Sequence, residues 1–403
     1  MTTVRLTRTL QLPDEVRAAR CQRAPDLGPR LLFFSGGTAL RDLSRALKHY
    51  THNSVHVITP FDSGGSSARL RDAFGMPSVG DLRNRLLALA DDSLHGNHAV
   101  QHLLAYRLPE GESARRELDD LLHDRHALVE PLPAPMRRIV RTHLRVFAER
   151  MPAGFDLGGA SVGNLVLAGG TLHHDGDLDS VLYLFSKLVE ARGLVLPVVE
   201  DSLHLLARLE NGRLVLGQHA ITGKEVPPLE SPLADLQLCR DLAAAAREPA
   251  GAPVQPVEVA APERLLRLLA RADLICFPMG SFYTSVVANL LPQGVGKAVR
   301  NAPSPKVYIP NTGHDPEQLG HTVASCVAQL LATLRRDAGE ETTAAELLDL
   351  VLVDSANGDY PGGLEAEAVR SLGVTLVDLP LVTPESRPHL DPELLARALL
   401  SLA

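Results

Sequence analysis

The 403-residue chain is poor in cysteine and in aromatic residues. It contains four cysteines and no tryptophan, and aromatic residues make up 4% of the sequence. The cysteines lie far apart, at Cys21, Cys239, Cys276 and Cys326. Because no two of them have a paired spacing, the sequence indicates neither a disulfide framework nor a structural zinc module. We therefore expect a protein of a reducing, cytoplasmic setting.

Long hydrophobic runs and an excess of basic residues are also missing. The charge-free stretches 157–174 and 274–296 are interrupted by glycine and by polar or proline residues, so neither is expected to span a membrane. Forty Lys and Arg stand against 48 Asp and Glu, a net charge of −8. This balance argues against a global attraction to nucleic acid or to an anionic membrane. An anionic ligand must therefore be bound by local groups.

The chain does contain a regular alternation of short apolar runs, polar loops and helical patterns. The runs predict strands at 31–34, 55–59, 194–199, 274–277, 306–309, 350–353 and 374–377. Such alternation predicts a Rossmann-like α/β fold, with a mostly parallel sheet and helices on both faces.

Two further segments interrupt this pattern. The apolar runs 203–209 and 213–216 flank Asn211-Gly212, which predicts a β-hairpin. Residues 227–262 are rich in Pro and Ala, and we expect them to run over the surface.

Ligands of open α/β sheets bind beyond the carboxyl ends of the strands, so the loops there are the candidate site. The first loop is 35–38, where Gly36, Gly37 and Thr38 can bring backbone N–H groups close to a phosphate at a helix N-terminus. It lacks GxGxxG, so no NAD site is expected, and it also lacks the Walker lysine of a P-loop. A tight turn without a ligand is the alternative.

The second loop, residues 62–69, combines a carboxylate, two glycines, two serines and an arginine. This set can bind an anion, while Asp62 orients a ribose hydroxyl, holds a metal ion or assists an acceptor nucleophile. A serine-rich helix cap with a solvated arginine is the alternative. The candidate phosphate-binding residues are Gly64, Gly65, Ser66, Ser67 and Arg69.

One aspartate and two asparagines add to this set. Asp81 either caps a helix or faces the ligand, and Asn84 follows on the first turn of that helix. Asn164, after a glycine-rich stretch, carries donor and acceptor groups suited to a base edge or a sugar. A buried amide that satisfies a turn is the alternative for Asn164.

The third loop is 280–285, which comes after the strand at 274–277. Gly280, Ser281, Thr284, Ser285 and the loop amides can hold phosphate. Tyr283 can stack on a base or sugar, or else serve as a core aromatic at a helix start.

Two histidine clusters are weighed as metal sites and set aside. His95, His98 and His102 share a helical face, and the second cluster is His173-His174-Asp175. Without a supporting cysteine or HExxH pattern, we interpret both as solvated faces. We expect no NAD, haem or structural zinc.

In this order the motifs resemble those of the CofD/YvcK family of 2-phospho-L-lactate transferases and YvcK-type gluconeogenesis factors. SGGTAL is similar to GGGTGL, DSGGSSARL to DDGGSSGRL, GDLRN to GDIRN, SVGNL to SxGNL and GSFYTSVVANLL to GSLYTSxxPNLL. The resemblance covers residues 31–330, and 197–215 is closer to the YvcK-type branch. Ser63 replaces the second aspartate of the family motif, Ala160 replaces a common histidine, and Pro278-Met279 replaces Gly-Pro.

The resemblance implies a Rossmann-like fold whose loops surround the diphosphate and sugar of a nucleotide. It places Asn164 and Tyr283 against the nucleotide or sugar, together with Asn311, which begins the segment matching NxMTQPGET. In the transferase branch it implies a Mg²⁺ ion at Asp62, the matching catalytic carboxylate.

The resulting division of the chain has five parts. They are an N-terminal extension (1–30), the first part of the nucleotide-binding domain (31–90), a helical insertion (91–150), the rest of that domain (151–330) and a C-terminal α/β completion of the sheet (331–403).

Three functions stay open at this point. The chain is either a metabolite-sensing regulator that binds a nucleotide sugar, or a Mg²⁺-dependent transferase that moves a phosphoester group from a guanylyl donor to a hydroxyl acceptor. The third option is an assembly protein that has lost its ligand. We expect a small-molecule nucleotide ligand, neither nucleic acid nor membrane as a partner, and a homodimer or a protein partner as further options.

Overall fold

The computed structural model describes residues 9–223, 227–240 and 255–403. Within these residues, seven strands form a sheet of order β10-β9-β8-β7-β1-β2-β3, in which all neighbouring strands are parallel. The seven predicted strands are confirmed, with small shifts at their ends. They are β1 (Leu31–Ser35), β2 (Val55–Ile58), β3 (Leu194–Pro197), β7 (Leu274–Phe277), β8 (Lys306–Tyr308), β9 (Leu350–Val353) and β10 (Thr375–Asp378).

The sheet is covered by apolar layers on both faces, which explains its continuous apolar strands. Every residue of β1 is buried. Leu32 and Phe34 pack into the core on one face, whereas Leu31 and Phe33 pack into a separate core on the other. A strand buried on both sides has no polar face, so it appears in the sequence as an apolar run rather than an alternation. The predicted α/β class is therefore correct.

A smaller antiparallel sheet of three strands lies beside the main one. The predicted hairpin is confirmed: β4 (His204–Leu209) pairs with β5 (Leu214–Leu216), and Gly212 has a φ of 84° in the turn. The surface path expected for 227–262 is wrong in part, because β6 (Leu233–Cys239) pairs with β4 along its length. Leu236 and Leu238 are buried on its inner face. This alternation of apolar residues is short and lies between proline-rich segments, so the sequence did not indicate a strand there. Residues 241–254 of that segment lie outside the described residues.

Helices fill the connections between strands. None of the helices described here combines the length and apolar character of a segment that crosses a bilayer. They are α1 (Glu15–Arg23), α2 (Arg41–Leu47), α3 (Gly65–Phe74), α4 (Gly80–Ala88), α5 (His98–Ala105), α6 (Ser113–Leu122), α7 (Ala134–Arg150), α8 (Val162–His173), α9 (Leu178–Leu188), α10 (Gln218–Thr222), α11 (Glu263–Leu269), α12 (Val295–Asn301), α13 (Val323–Ala338), α14 (Ala344–Leu347), α15 (Ala366–Ser371) and α16 (Pro392–Leu402). A π-helical turn spans Phe282–Val286, and 3₁₀ turns span Pro25–Leu27, Val287–Leu290 and Pro316–Gln318.

The predicted helical insertion is present and shares a core with its neighbours. Helices α5, α6 and α7 bury their apolar faces together with α8 and α9, in a cluster that includes Leu103, Leu144 and Phe185. Helices α7 and α8 approach closely because α8 carries Gly169, where a Cβ atom would clash with the carbonyl oxygen of His143. The insertion is thus packed directly against the helix that bears Asn164.

Candidate functional site

The site lies where the strand order reverses. Strand β1 has β2 and then β3 on one side, and β7, β8, β9 and β10 on the other. The strands therefore follow β1 in opposite directions across the sheet. Such a switch point opens a crevice at the carboxyl ends of the strands. The loops that follow β1, β2 and β7 are the three loops predicted from the sequence. A Cβ on Gly280 would lie 3.6 Å from Cβ of Ala39, and one on Gly80 would lie 3.3 Å from Oδ2 of Asp62. The structure therefore brings the loops together at one edge.

The first loop is in tight contact with side chains from two other segments. A Cβ on Gly36 would overlap the hydroxyl group of Ser285, and a Cβ on Gly37 would overlap the carboxylate of Asp81. Only glycine allows these approaches. Thr38, at the end of the loop, is exposed. The first loop, Asp81 and the third loop therefore form one continuous surface.

A buried arginine holds the first loop from inside the protein. The side chain of Arg85 on α4 is fully buried and donates to the carbonyl oxygens of Gly36 (2.8 Å) and Gly37 (3.4 Å), and also to the hydroxyl of Ser44. Burial lowers the pKa of Arg85 to about 10, and the nearby Asp81 charge partly offsets this effect. Because the arginine binds both carbonyl oxygens, it holds the backbone of the first loop from the protein interior.

The second loop is built in the same way. Asp62 accepts a hydrogen bond from the N–H of Gly64 (3.0 Å), and Gly65 has a φ of 51°. Arg71 on α3 is buried and donates to the carbonyl oxygens of Phe61 (3.0 Å) and Asp62 (3.1 Å). Helix α3 begins after Gly64 with no side-chain cap, so its first-turn N–H groups have no partner within the helix. That arrangement suits an anion at the N-terminus of α3.

Asn164 and Ser66 lie side by side beneath the second loop. The amide of Asn164 donates to Oγ of Ser66 (3.1 Å), and Asn164 is 2% exposed. Ser66 and Ser67 are buried as well. Asn164 is therefore in the predicted place, but its burial fits the alternative of an amide that supports the loop.

Asp81 does not cap its helix. The N-cap of α4 is Val79, which makes no side-chain hydrogen bond, and Asp81 lies in the first turn against Gly37. Asn84 accepts from the guanidinium of Arg83 (2.5 Å), which also donates to the hydroxyl of Ser161. Burial, together with the charge of Arg107, lowers the pKa of Arg83 to about 10. The capping alternative for Asp81 is thus wrong, and Asn84 belongs to a network around Arg83.

Arg69 is turned away from the predicted phosphate role. Its guanidinium donates to the carbonyl oxygens of Asp156 (3.0 Å) and Gly158 (2.7 Å) and pairs with the carboxylate of Asp156. It therefore fastens α3 to the segment before α8. The guanidinium of Arg69 is therefore occupied by a carboxylate 87 positions away in the sequence.

Tyr283 is a core residue, contrary to the predicted stacking role. It is fully buried, and its hydroxyl donates to the carbonyl oxygen of Leu233 (3.0 Å) and lies 3.0 Å from Nε2 of His321. Burial is the main reason why its pKa is raised. The core alternative is therefore correct for this ring, because the π-helical turn points it into the protein between the two sheets.

The amides of the third loop are already bound by side chains of residues 311–317. Gly280 donates its N–H to Oδ1 of Asn311 (2.8 Å). The N–H of Phe282 goes to Asp315 (2.9 Å), and those of Tyr283 and Thr284 both go to Glu317 (2.8 Å each). The prediction that these amides hold phosphate is therefore wrong. Asn311 contributes through the loop rather than at a ligand.

Several residues of the site were missed by sequence reasoning. Arg71, Arg85 and Glu317 are buried ions, a class that normally lies on the surface. Asn289 is fully buried and donates to the carbonyl oxygens of Ser35 (3.1 Å) and Ser285 (2.6 Å). The one available signal was an arginine at an apolar position of a helix, and it does not say which loop the arginine reaches.

The donors suitable for a metal ion are few. In the described part of the chain, no group of three or more His, Cys, Asp or Glu side chains is arranged to hold a metal. Asp62 and Asp81 both reach the crevice, beside Gly80 and Gly37, and the hydroxyl of Ser67 lies against Gly80. Two carboxylates and a hydroxyl suit Mg²⁺ only if a ligand phosphate supplies further oxygens.

A separate cavity of about 760 Å³ opens at the opposite edge of the sheet. It is lined by residues that precede β1, β2, β7 and β8, including Arg30, Asn53, Asp273 and Ser304. None of the three loops contributes to it. The two edges of the sheet therefore present distinct surfaces, and only the carboxyl edge carries the glycine loops.

Comparison with known proteins agrees with this fold and these loops. Residues 31–381 match the family model described as 2-phospho-L-lactate transferase CofD. The gluconeogenesis factor of Bacillus subtilis (strain 168) is 29% identical over 358 residues, which cover 87% of each chain. The gluconeogenesis factor of Halalkalibacterium halodurans is 30% identical over 283 residues, 70% of this chain and 66% of that protein.

A solved structure is similar over nearly the whole chain. The crystal structure of a member of the UPF0052 family from Bacillus halodurans aligns with a TM-score of 0.65 and 24% identity, covering 93% of this chain and 99% of the other. At this identity the likeness supports the fold. The family match spans most of the chain and includes every one of the three loops. The protein belongs to the CofD family.

Proposed function

We propose that the protein binds a nucleoside-diphosphate ligand, either a nucleotide sugar or a nucleotide-linked phosphoester, across the carboxyl edge of the main sheet. The observation that supports this best is the shared construction of the first two loops. In each, a buried arginine holds carbonyl oxygens from inside the protein. Two such loops side by side can hold two adjacent phosphates.

A Mg²⁺ ion fits this proposal as a partner of the ligand. Asp62 and Asp81 supply the hard oxygen donors that Mg²⁺ prefers, and a diphosphate would supply others. When bound, the ion would neutralise charge on the phosphates. The role of Asp62 is then to bind and orient, since its carboxylate also fixes the N–H of Gly64.

The choice between regulator and transferase depends on what happens after binding. The family description and the pair of carboxylates favour transfer of a phosphoester group to a hydroxyl acceptor. The relatives' name and the contacts of the insertion favour a regulator. Residues 106–108 hydrogen-bond with 159–162, for example Leu108 N–H to Ala160 (2.9 Å), so the insertion is joined to the segment that bears Ser161. We propose that a cytoplasmic partner protein would read the ligand state through this contact.

Calorimetry with UDP-glucose, UDP, GDP and GTP, each with and without Mg²⁺, tests the proposal. We expect binding of at least one diphosphate, which Asp62→Asn weakens about tenfold in the presence of Mg²⁺. Asp72→Asn, an exposed position on the outer side of α3, is the matched control and should bind as the wild type does. Metal-dependent binding of guanine nucleotides favours the transferase, and metal-independent binding of UDP-glucose favours the regulator. If no nucleotide binds at millimolar concentration, the proposal is wrong, and the result supports an assembly protein that has lost its ligand.

A further inference from the structure

A histidine that follows the small sheet lies beside the second loop. Helix α10 comes directly after β5 and lies against the π-helical turn at the carboxyl edge. Its Ile221 is fully buried, whereas His219 is half-buried. A Cβ atom on Gly64 would lie 3.7 Å from Nδ1 of His219 and 3.5 Å from Oδ1 of Asp62. The imidazole and the carboxylate therefore flank the N-cap glycine of α3.

Main-chain hydrogen bonds fix α10 in this position. The N–H of His219 donates to Oγ of Ser63 in the second loop (2.9 Å), and Oγ1 of Thr222 donates to the carbonyl oxygen of His219 (2.9 Å). Before the helix, the N–H of Gly217 donates to the carbonyl oxygen of Leu205 in β4 (2.8 Å). Because these bonds use backbone groups of His219, a change of its side chain leaves them intact.

The two arginines of α3 do not bring their charge to this position. Arg69 pairs with Asp156. Arg71 donates to the carbonyl oxygens of Phe61 and Asp62 from the protein interior. The carboxylate of Asp62 repels a phosphate placed at the second loop. A basic ring beside that carboxylate offsets the repulsion and can donate a hydrogen bond to the phosphate.

A buried amide beneath the same loop also points to a ligand there. Oδ1 of Asn164 is buried and has no hydrogen-bond partner among the described residues, while its amide nitrogen donates to Ser66. A buried acceptor without a partner is costly unless a ligand or a water molecule satisfies it. The second loop therefore has an unsatisfied acceptor beneath it and an imidazole beside it.

We infer that His219 contacts the ligand's phosphate at the second loop, where its imidazole donates a hydrogen bond alongside the N–H groups at the start of α3. This inference rests on the proposed function and adds to it a ligand contact from α10, which none of the sequence motifs includes. An imidazole has two ring nitrogens, so His219 can keep a protein partner on one and donate to the phosphate from the other.

Calorimetry with pyrophosphate, UDP and GDP, each with and without Mg²⁺, tests this contact. For His219→Ala we expect the affinity for every one of these that the wild type binds to fall about tenfold, because a hydrogen bond to a charged group is lost. His219→Asn keeps a side-chain N–H close to the place of Nδ1 and should recover part of this loss. His102→Ala, at an exposed histidine of α5, is the matched control and should bind as the wild type does. No loss in His219→Ala, or an equal loss in His102→Ala, overturns the contact.

Modification of histidines by diethyl pyrocarbonate, read by mass spectrometry, gives a result that a purely structural role would not produce. With the tightest-binding of the three probes at about ten times its Kd, His219 should react about tenfold more slowly, since about a tenth of the protein is then free. His102 should react at an unchanged rate. A probe that binds without protecting His219 overturns this inference and leaves the proposed function standing. If the wild type binds none of the three probes, the proposed function is wrong and this inference is wrong with it.

Discussion

The first and third loops lie side by side, at the ends of neighbouring strands, yet the protein holds them by opposite groups. Arg85 holds the first loop by its carbonyl oxygens, whereas Glu317 holds the third loop by its N–H groups. The charge placed behind a loop thus decides which of its backbone groups are bound by side chains. Two loops that look alike in sequence, both rich in glycine and hydroxyl residues, therefore differ in the backbone groups that the protein itself binds.

Removal of the arginine should have the largest effect on this comparison. In Arg85→Met the carbonyl oxygen of Gly36 and the hydroxyl of Ser44 lose a buried donor, and we expect the free energy of unfolding to fall by about 3 kcal/mol. Urea unfolding measures this change. Arg45→Met on α2, where the guanidinium is 58% exposed, is the control and should cost less than about 0.5 kcal/mol.

Phosphate binding should fail together with stability in Arg85→Met, because the first loop is then no longer held. A variant that unfolds as easily as the wild type, and binds pyrophosphate as well, would show that the loop keeps its shape without the arginine.

The carboxylate side of the comparison has a signature in pH. The pKa of Glu317 is about 7 in the folded protein and near 4.5 when unfolded, so the folded state binds the proton more tightly. Stability from this group is therefore fully present below the unfolded pKa and is lost as the pH rises through the folded pKa. As the pH rises from about 5 to about 8, we expect the free energy of unfolding to fall by about 2 kcal/mol because of this group. Glu317→Gln should abolish that fall.

Urea unfolding at a series of pH values, for wild type and Glu317→Gln, measures this difference. The two curves should converge at low pH and separate above neutrality, with Glu317→Gln the less sensitive to pH. Parallel curves over the whole range would mean that Glu317 is ionised at ordinary pH and that its burial carries no such cost.

The smallest effect is expected at Arg69, where the guanidinium is half-exposed. Arg69→Ala breaks its pair with Asp156 and its hydrogen bond to Gly158, and should cost about 1 kcal/mol of stability. Binding of uridine and of UDP should weaken to the same small extent, since Arg69 faces a protein segment. Calorimetry with both ligands checks this. A loss of affinity for UDP alone would indicate that Arg69 contacts the phosphates directly.

The parts of the fold that could be predicted are those encoded by residues close together in the sequence. Buried parallel strands such as β1 and β7 are short apolar runs, and the hairpin turn at Gly212 is marked by its own residues. Strand β6 was missed because its alternation is short and lies among prolines, and because its pairing with β4 is a long-range contact. The same division holds in the site, where the glycine loops were found and their supports were not.

The sequence by itself determined which strands form and that three polar loops follow strands β1, β2 and β7, because apolar periodicity and glycine act over a few residues. Only the tertiary structure decided which side chains support each loop and which are paired within the protein. Tyr283, Arg69 and Glu317 have suitable chemistry for a ligand, but they are committed to Leu233, Asp156 and Thr284, far away in the chain. The physical reason is that a buried charge or hydroxyl must be paired, and its partner is fixed by the packing of distant segments.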